Sequence, residues 1–523
     1  MIAGAAHLAR LARAGFVFAR EGVFGAIDPA DLPAQARMPV SLARLAERRT
    51  GDGSAVRLAA ALTRLGPTYV KLGQFLATRP DVVGVTLARD LESLQDKMPP
   101  FPQAQAEATV AAALGMPIGQ AFAAFGPAVA AASIAQVHRA EVTTDAGPRA
   151  VAVKVLRPGV DRRFRADLES FYFAARAAER HSAEARRLRL VEVVDTLARS
   201  VVLEMDFRLE AAAIAEMAEN TREDPDFRVP GVDWDRTARG VLTLEWVEGT
   251  PLYDHAALRA RGFDLPRLGR AVMQSFLRHA LRDGFFHADM HPGNLFVDAE
   301  GRIVAVDFGI MGRLAPKERR FLAEILHGFI TRDYRRAAEV HFEAGYVPPH
   351  HSVDSFAQAI RAIGEPIHKR VAAEISMAKL LTLLFEVTGL FDMRTRPELL
   401  LLQKTMVVVE GVARTLDPRL DMWSTAEPVV REWVERYLGP AGRIEGAGQG
   451  ALEVGRFLGA VPELLTRASN IAGQLDIATR DGVHLAPATV EAIGRAEARR
   501  NRWGSAALWV IAVLLAVLLW RVM

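Results

Sequence analysis

The 523-residue sequence predicts an α+β fold in which a small β-containing lobe precedes a large helical one. Three observations carry this reading. Two short β-type runs, "QVHRAEV" and "RAVAVKVL", flank the turn signal "TTDAGP". A second pair lies in "NLFVDAEGRIVAVDFG", with a turn at Asp298–Gly301. Elsewhere the hydrophobic period is helical, as in Phe164, Leu168, Phe171 and Ala175.

Taken in order, residues 1–125 read as a helical extension, broken at "MPPFP" (Met98–Pro102). Within its first helix Arg10, Arg13 and Arg20 share a face. That suits a membrane interface or a solvated amphipathic helix equally, and a mitochondrial presequence would look similar. The arginines interrupt the apolar core that a secretory signal needs. The first lobe, 126–250, holds the hairpin, helix over 162–220 and the strand "RGVLTLEWVEG", which ends at Gly249. Helix over 263–284 then leads into a second, helical lobe, 251–420. A helical tail, 421–502, follows. Its "GAGQGALEVG" (Gly446–Gly455) reads as a linker, because it follows a helix-like segment and not the strand a dinucleotide fingerprint requires. From Trp503 to Trp520 run 18 residues without charge, preceded by Arg499, Arg500 and Arg502. That length spans a hydrocarbon core of about 30 Å as a transmembrane helix. The arginines then place the upstream chain in the cytoplasm.

Composition narrows the classes. Half the residues are hydrophobic and 24% charged, as in globular chains. The absence of cysteine excludes disulfides and thiolate metal sites. A net charge of +3 with no base-reading motif argues against nucleic acid as a partner.

The chemistry concentrates in "FFHADMHPGNLFVDAEGRIVAVDFG". Asp289 and Asn294 sit on one tight loop, and the hairpin returns Asp307 beside them. Mg²⁺ takes hard oxygen ligands and keeps several waters. Asn294 and Asp307 are therefore its expected protein ligands, with nucleotide phosphates supplying others. Asp289 is expected to orient or deprotonate an acceptor hydroxyl or water. Gly309 frees the backbone after Asp307. Lys154, in "RAVAVKVL", is expected to bridge the α- and β-phosphates, with Glu210 as its partner. Glu204 and Asp206 precede Glu210 on what reads as the same helix, about 200° apart, so they should serve different partners. Backbone groups near Glu245 and Val247, between the lobes, are candidates to bond adenine. Upstream, "PAVAAASIAQVHRA" offers Ala130, Ala131, Ala132 and Ser133 where a phosphate-covering loop is usually rich in glycine. Each Cβ restricts positive φ and close approach to phosphate, while the Ser133 hydroxyl can still touch it. The lysine strand, catalytic loop and Asp-Phe-Gly together resemble a protein-kinase-like two-lobed fold.

Further motifs narrow the resemblance. "GPTYVKLGQFLATRPD" carries Lys71, Gly73 and Gln74 of a Lys-x-Gly-Gln segment. "LESLQDKMPP", "AAASIAQVH", Glu204-Met205-Asp206 and "HADMHPGNLF" accompany it. Over residues of about 60 to 315 this set resembles the UbiB family of atypical kinase-like proteins. The resemblance implies ATP and Mg²⁺ as cofactors and an ATPase-like activity. It implies a role in ubiquinone (coenzyme Q) biosynthesis, with polyprenylphenol intermediates, membrane lipid and biosynthetic enzymes as partners. It also implies that the Lys71–Gln74 helix folds over the nucleotide site, meets Glu204 and occludes the space for a peptide substrate. The location implied is the bacterial inner membrane, with a single pass and a cytoplasmic main domain, although several bacterial members carry two spans. Two other readings stand beside this one. "HADMHPGN" is also similar to aminoglycoside and choline kinases, which would make the chain a small-molecule kinase; Lys-x-Gly-Gln, the alanine segment and the apolar tail argue against it. A non-catalytic nucleotide-sensing scaffold is the third, opposed by the retention of Lys154, Asp289, Asn294 and Asp307. No flavin fingerprint or non-haem iron triad is visible, so oxygen chemistry is not assigned.

Overall fold

The computed structural model describes residues 2–23, 54–77, 98–367, 389–393 and 397–438, with single positions between them. The linker at Gly446–Gly455, the tail beyond Leu438 and the expected span at 503–520 lie outside the described residues. Among the described residues no helix is long and apolar enough to cross a membrane. Met1–Val434 form one compact unit, and of the second, Glu435–Met523, only the end of a helix is described.

The first lobe is built on an antiparallel sheet. Its strands are β1 (Ala124–Ala131), β2 (Ala135–Thr144), β3 (Gly147–Leu156) and, after the two-residue β4 (Phe227–Arg228) of a separate sheet, β5 (Val241–Glu245). They lie in the order β1-β2-β3-β5. Side chains alternate across a strand. Val151, Val153 and Val155 therefore enter one apolar cluster with Phe101, Val110 and Phe122, and Lys154 faces the other way. The "TTDAGP" turn falls between β2 and β3 as expected, but β1 is an addition to the predicted hairpin. The run read as an alanine-rich loop is largely strand: Ala130 and Ala131 close β1 opposite Val137 and Gln136, and only Ala132–Ile134 form the turn. Alanine has little strand preference of its own. This edge strand, with two register shifts, takes its conformation from β2.

The stretch 162–220 is not one helix. It divides into α5 (Val160–His181), a short helix Ala183–Leu188, α6 (Leu190–Glu204) and α7 (Phe207–Asn220), the first four helices being α1 (Ile2–Arg20), α2 (Ser54–Leu65), α3 (Pro67–Ala77) and α4 (Gln103–Leu114). Phe164, Leu168, Phe171 and Ala175 are all buried on α5, as their period requires. Glu204 ends α6, whereas Asp206 caps α7, its carboxylate accepting from the Arg208 amide. The two acids do serve different partners, but because a helix junction separates them and not because of their angle around one helix. An N-cap carboxylate also meets the positive end of the helix it starts.

The extension docks on α5. Thr68 Oγ1 donates to Asp167 at 2.7 Å, Arg163 donates to the Leu65 carbonyl at 2.6 Å, and the Tyr69 ring meets Phe171 edge-on at 5.2 Å. The basic face of α1 turns partly inward, since Arg10 donates to the Ala166 carbonyl while Ala14 and Val17 are buried. Further along, "MPPFP" lies against the alanine turn: Met98 donates its amide to the Ala131 carbonyl at 3.2 Å.

The second lobe rests on α8 (Leu265–Arg278), which carries nine buried residues and packs against Pro397–Leu416. The helix predicted to Gly284 changes to a π-helical turn at His279–Asp283. Asp224 holds that turn, bonding His279 at 2.9 Å and Arg282 at 2.6 Å. Beyond it come β6 (Thr250–Pro251), which precedes α8 in the chain, then β7 (Phe285–His287), β8 (Leu295–Val297), β9 (Ile303–Ala305) and β10 (Met311–Arg313). β8 and β9 form the predicted hairpin, its turn closed by Gly301 donating to Asp298 at 3.2 Å with φ +79°.

Gln136 ties extension to sheet. Its fully buried amide accepts from Phe101 N at 2.8 Å and donates to Phe101 O at 3.3 Å. Gln136→Leu keeps the volume but strips both partners from a buried peptide group. It is expected to cost about 1–3 kcal/mol, read as a lower thermal unfolding midpoint; an unchanged midpoint would detach this bond pair from stability.

Candidate active site

Strand alternation brings Lys154 to the cleft-facing side of β3, and α7 brings Glu210 to meet it. The ammonium lies 2.9 and 3.0 Å from the two Glu210 oxygens and 2.9 Å from Asp307 Oδ1. Glu210 is itself buried, and its Oε1 also accepts from the Phe308 amide at 3.2 Å. The Phe207 ring sits 5.5 Å from the ammonium. The Lys154 side chain is only 17% exposed, which would by itself disfavour its charge. Burial does work against the ammonium, but Asp307 and Glu210 outweigh it and hold its pKa above the usual lysine range. The same ammonium holds the Asp307 carboxyl well below the usual carboxylate range. Burial pushes Glu210 up against the pull of Lys154.

Asp307 has φ +63°, a left-handed conformation uncommon outside glycine and often found at working sites. The geometry is fixed from both sides. Its carbonyl accepts from His287 Nε2 at 3.0 Å, and the Val306 amide donates to Asn294 O at 2.8 Å. Asp289 N–H in turn donates to His287 Nδ1 at 3.1 Å. One ring nitrogen therefore donates and the other accepts, which defines a neutral imidazole. Burial pushes the His287 pKa below its ordinary value, in agreement with that tautomer.

Asn294 Nδ2 donates to the Asp289 carbonyl at 3.1 Å and to Asp289 Oδ2 at 3.0 Å. Only the amide nitrogen can face a carboxylate and a carbonyl, so the orientation leaves Asn294 Oδ1 as an oxygen donor. Asp307 offers its second carboxylate oxygen, its side chain being 53% exposed. These oxygens fit a hard divalent cation such as Mg²⁺. Asp289 is exposed at the mouth of the same loop, and Thr405 Oγ1 supports the loop from below by donating to the Ala288 carbonyl at 3.1 Å.

The structure brings Lys71 to Glu204, with Nζ 2.6 Å from Oε2. Gln74 is half-buried one turn further along α3. Asp206 meets Arg208 at 2.7 Å and stays out of this pair. Three expectations change. Ser133 is fully buried, and its carbonyl accepts from Arg157 Nε at 3.2 Å. The Ala132 amide is spent on Ala135 O at 2.8 Å. The Glu245 amide donates to Gly231 O at 2.8 Å and its carboxylate binds Arg228 at 3.1 Å, so this residue's N–H is engaged within the protein; Val247 is half-buried beyond it.

Motif spacing does not mark several residues with positional roles: His287, Gln136, Arg157, Thr405 and His138, whose ring nitrogens meet the Gly126 carbonyl and the Gln136 amide, both at 2.8 Å. His287 stands two places before Asp289, and Gln136 and His138 lie within the quoted "AQVH", so their proximity to the motifs was the available signal. Thr405 and Arg157 carry none, since their partners are backbone carbonyls distant in sequence or in the turn.

Residues 93–341 match the ABC1 atypical kinase-like domain, and residues 360–421 match the UbiB helical domain. A Marinobacter nauticus protein named "Probable protein kinase UbiB" is 40% identical over 447 residues, which cover 84% of this chain and 81% of the relative. An Azotobacter vinelandii protein of the same name is 41% identical over 414 residues, covering 78% and 76%. Among solved structures, Rv3197 of Mycobacterium tuberculosis in complex with erythromycin is 25% identical. The match covers 76% of this chain and 98% of that one, with a TM-score of 0.50.

Burial lowers the pKa of His138, His279, His287 and His341. The unfolded chain then binds more protons than the folded one below about pH 6.5, so folding stability falls with falling pH there. Each histidine can contribute at most about 1.4 kcal/mol per pH unit. Thermal midpoints measured from pH 7 to pH 5 are expected to fall; a flat profile would show that these rings protonate without cost.

Proposed function

The chain belongs to the UbiB family of ABC1 atypical kinase-like proteins, and we propose that it is a membrane-anchored Mg-ATP-dependent ATPase or atypical kinase supporting ubiquinone biosynthesis. The observation that carries this reading is the Lys154 ammonium at 2.9 Å from both Glu210 and Asp307. A buried lysine held by a helix carboxylate beside a metal-binding carboxylate is a phosphate site.

In this reading Glu210 holds Lys154, and Lys154 binds the nucleotide phosphates. Asn294 Oδ1 and an Asp307 oxygen would hold Mg²⁺, which supplies charge neutralisation at the phosphates when bound. Asp289 orients a water or hydroxyl and accepts its proton. His287 fixes the Asp307 carbonyl and the Asp289 amide together. The alanine turn covers the phosphates from the first lobe, and the Lys71–Glu204 pair holds α3 across the approach that a peptide would use. The apolar run Trp503–Trp520 anchors the chain to the membrane, where polyprenylphenol intermediates and their modifying enzymes are the partners.

Purified full-length protein is expected to release phosphate from ATP, faster with vesicles containing a polyprenylphenol, without labelling an acceptor. A labelled phenol or polar metabolite would instead select a small-molecule kinase. Asp307→Asn is expected to weaken Mg²⁺-dependent ATP affinity, and equal affinity would remove the metal role. Asp289→Asn should keep binding and lower turnover by roughly 10²–10⁴-fold; equal turnover would exclude it as the base.

A further inference from the structure

We propose that His350, His351 and Asp392 form a binding site for a divalent transition-metal ion of the zinc class, distinct from the oxygen-lined site at Asn294 and Asp307. The three residues come from two turns. Pro348–Ser352 precedes the helix Val353–Ile367, and Phe391–Asp392 lies 41 positions after His351. The ligand-capable atoms all lie within 4.8 Å of one another. His350 Nε2 is 3.6 Å and His351 Nε2 3.3 Å from the same oxygen, Asp392 Oδ2.

These spacings are informative. Zinc bonds to imidazole nitrogen and carboxylate oxygen are about 2.0–2.2 Å, so neighbouring ligand atoms of a tetrahedral site are about 3.3–3.6 Å apart. Without an ion, His351 Nε2 and Asp392 Oδ2 make a hydrogen bond at 3.3 Å, whereas the 3.6 Å approach of His350 is too long for one. The turn sets the two rings 4.1 Å apart, tilted by 40°, with both ring nitrogens near one carboxylate oxygen.

The surroundings hold the residues in place. The His351 ring packs on Phe391 at 5.2 Å, and Phe391 packs on Phe356 at 5.0 Å inside a buried aromatic cluster. The His351 amide donates to Pro348 O at 3.2 Å. Asp392 takes φ +48°, a left-handed conformation that aspartate tolerates better than most residues. His350 and Asp392 side chains are 65% and 67% exposed, so an ion can reach them from solvent.

Two nitrogens and one oxygen form a borderline donor set that favours zinc-class ions over Mg²⁺. Three protein ligands leave a fourth position for water or an outside ligand. The ion would join a turn between the two matched regions, 93–341 and 360–421, to a residue within the second. It would tie the turn that precedes Val353–Ile367 to a residue 41 positions beyond His351.

The test uses full-length protein stripped with chelator and titrated with Zn²⁺ against a chromophoric competitor, with Co²⁺ absorption as a second probe. Wild type is expected to hold one equivalent more than His350→Ala/His351→Ala or Asp392→Asn, or to bind that equivalent at least tenfold more tightly. A hundredfold excess of Mg²⁺ should not displace it. Zn²⁺ should raise the thermal midpoint of wild type and not of Asp392→Asn. Far-UV circular dichroism of the metal-free variants, expected to match wild type, controls for folding, and Asp392→Asn keeps the His351–Phe391 packing. Equal stoichiometry and affinity in wild type and variants, or no retained Zn²⁺ in wild type, would overturn the proposal.

Discussion

The Lys154 ammonium stands between two carboxylates that arrive from different parts of the chain. Removing a charged amine from water costs several kcal/mol unless partners compensate. Glu210 comes from a helix of the first lobe and Asp307 from the hairpin of the second. Each lobe thus contributes a carboxylate that favours the charged lysine. One cation and two carboxylates leave a net negative charge, concentrated on the more exposed Asp307. Residual negative charge there favours a further cation by simple Coulomb attraction.

The route from the extension to this centre is short in sequence. Lys71 bonds Glu204, the last residue of α6, and two residues later Asp206 caps α7. One turn into α7 stands Glu210. A pull on Glu204 is thus applied at the start of the helix that aims Glu210 at Lys154. Val201, Met205 and Phe207 around the junction are buried, so it cannot deform freely. The Lys-x-Gly-Gln helix thus bonds the segment that leads into α7, although none of its side chains bonds Lys154 among the described contacts.

Legibility in the sequence followed chemical constraint. Asp289, Asn294 and Asp307 could be read as neighbours because one short loop and one hairpin carry them, and the Asn294 amide does meet Asp289. Lys154 and Glu210 could be paired because a buried lysine requires a carboxylate. The α6–α7 break was hidden because most of "LEMDFRLE" favours helix, and the local carboxylate–amide bond of Asp206 overrides that preference. β1 was hidden because alanine says little about strands, and pairing with β2 decided the outcome. Glu245 was read from its place between the lobes, but Gly231 had already claimed its amide.

The alanine turn shows why residue identity alone gives an incomplete account of the turn proposed to cover the phosphates. Glycines let such a hairpin flex and approach phosphate closely. Here the methyl groups are only one restraint. Arg157 Nη2 donates to the carbonyls of Ala132 and Pro99, both at 3.1 Å, and its Nε reaches Ser133 O. One guanidinium on the strand side thus clamps the turn to the extension segment that also bonds Ala131. Arginine's planar fork suits this, because it satisfies several carbonyls at once without losing its charge. Replacing an alanine by glycine would remove a Cβ and leave every one of those bonds in place. The stiffness of the cover therefore resides largely in Arg157 and "MPPFP", outside the alanine run itself, and a flexible flap would require releasing the extension as well as changing the turn.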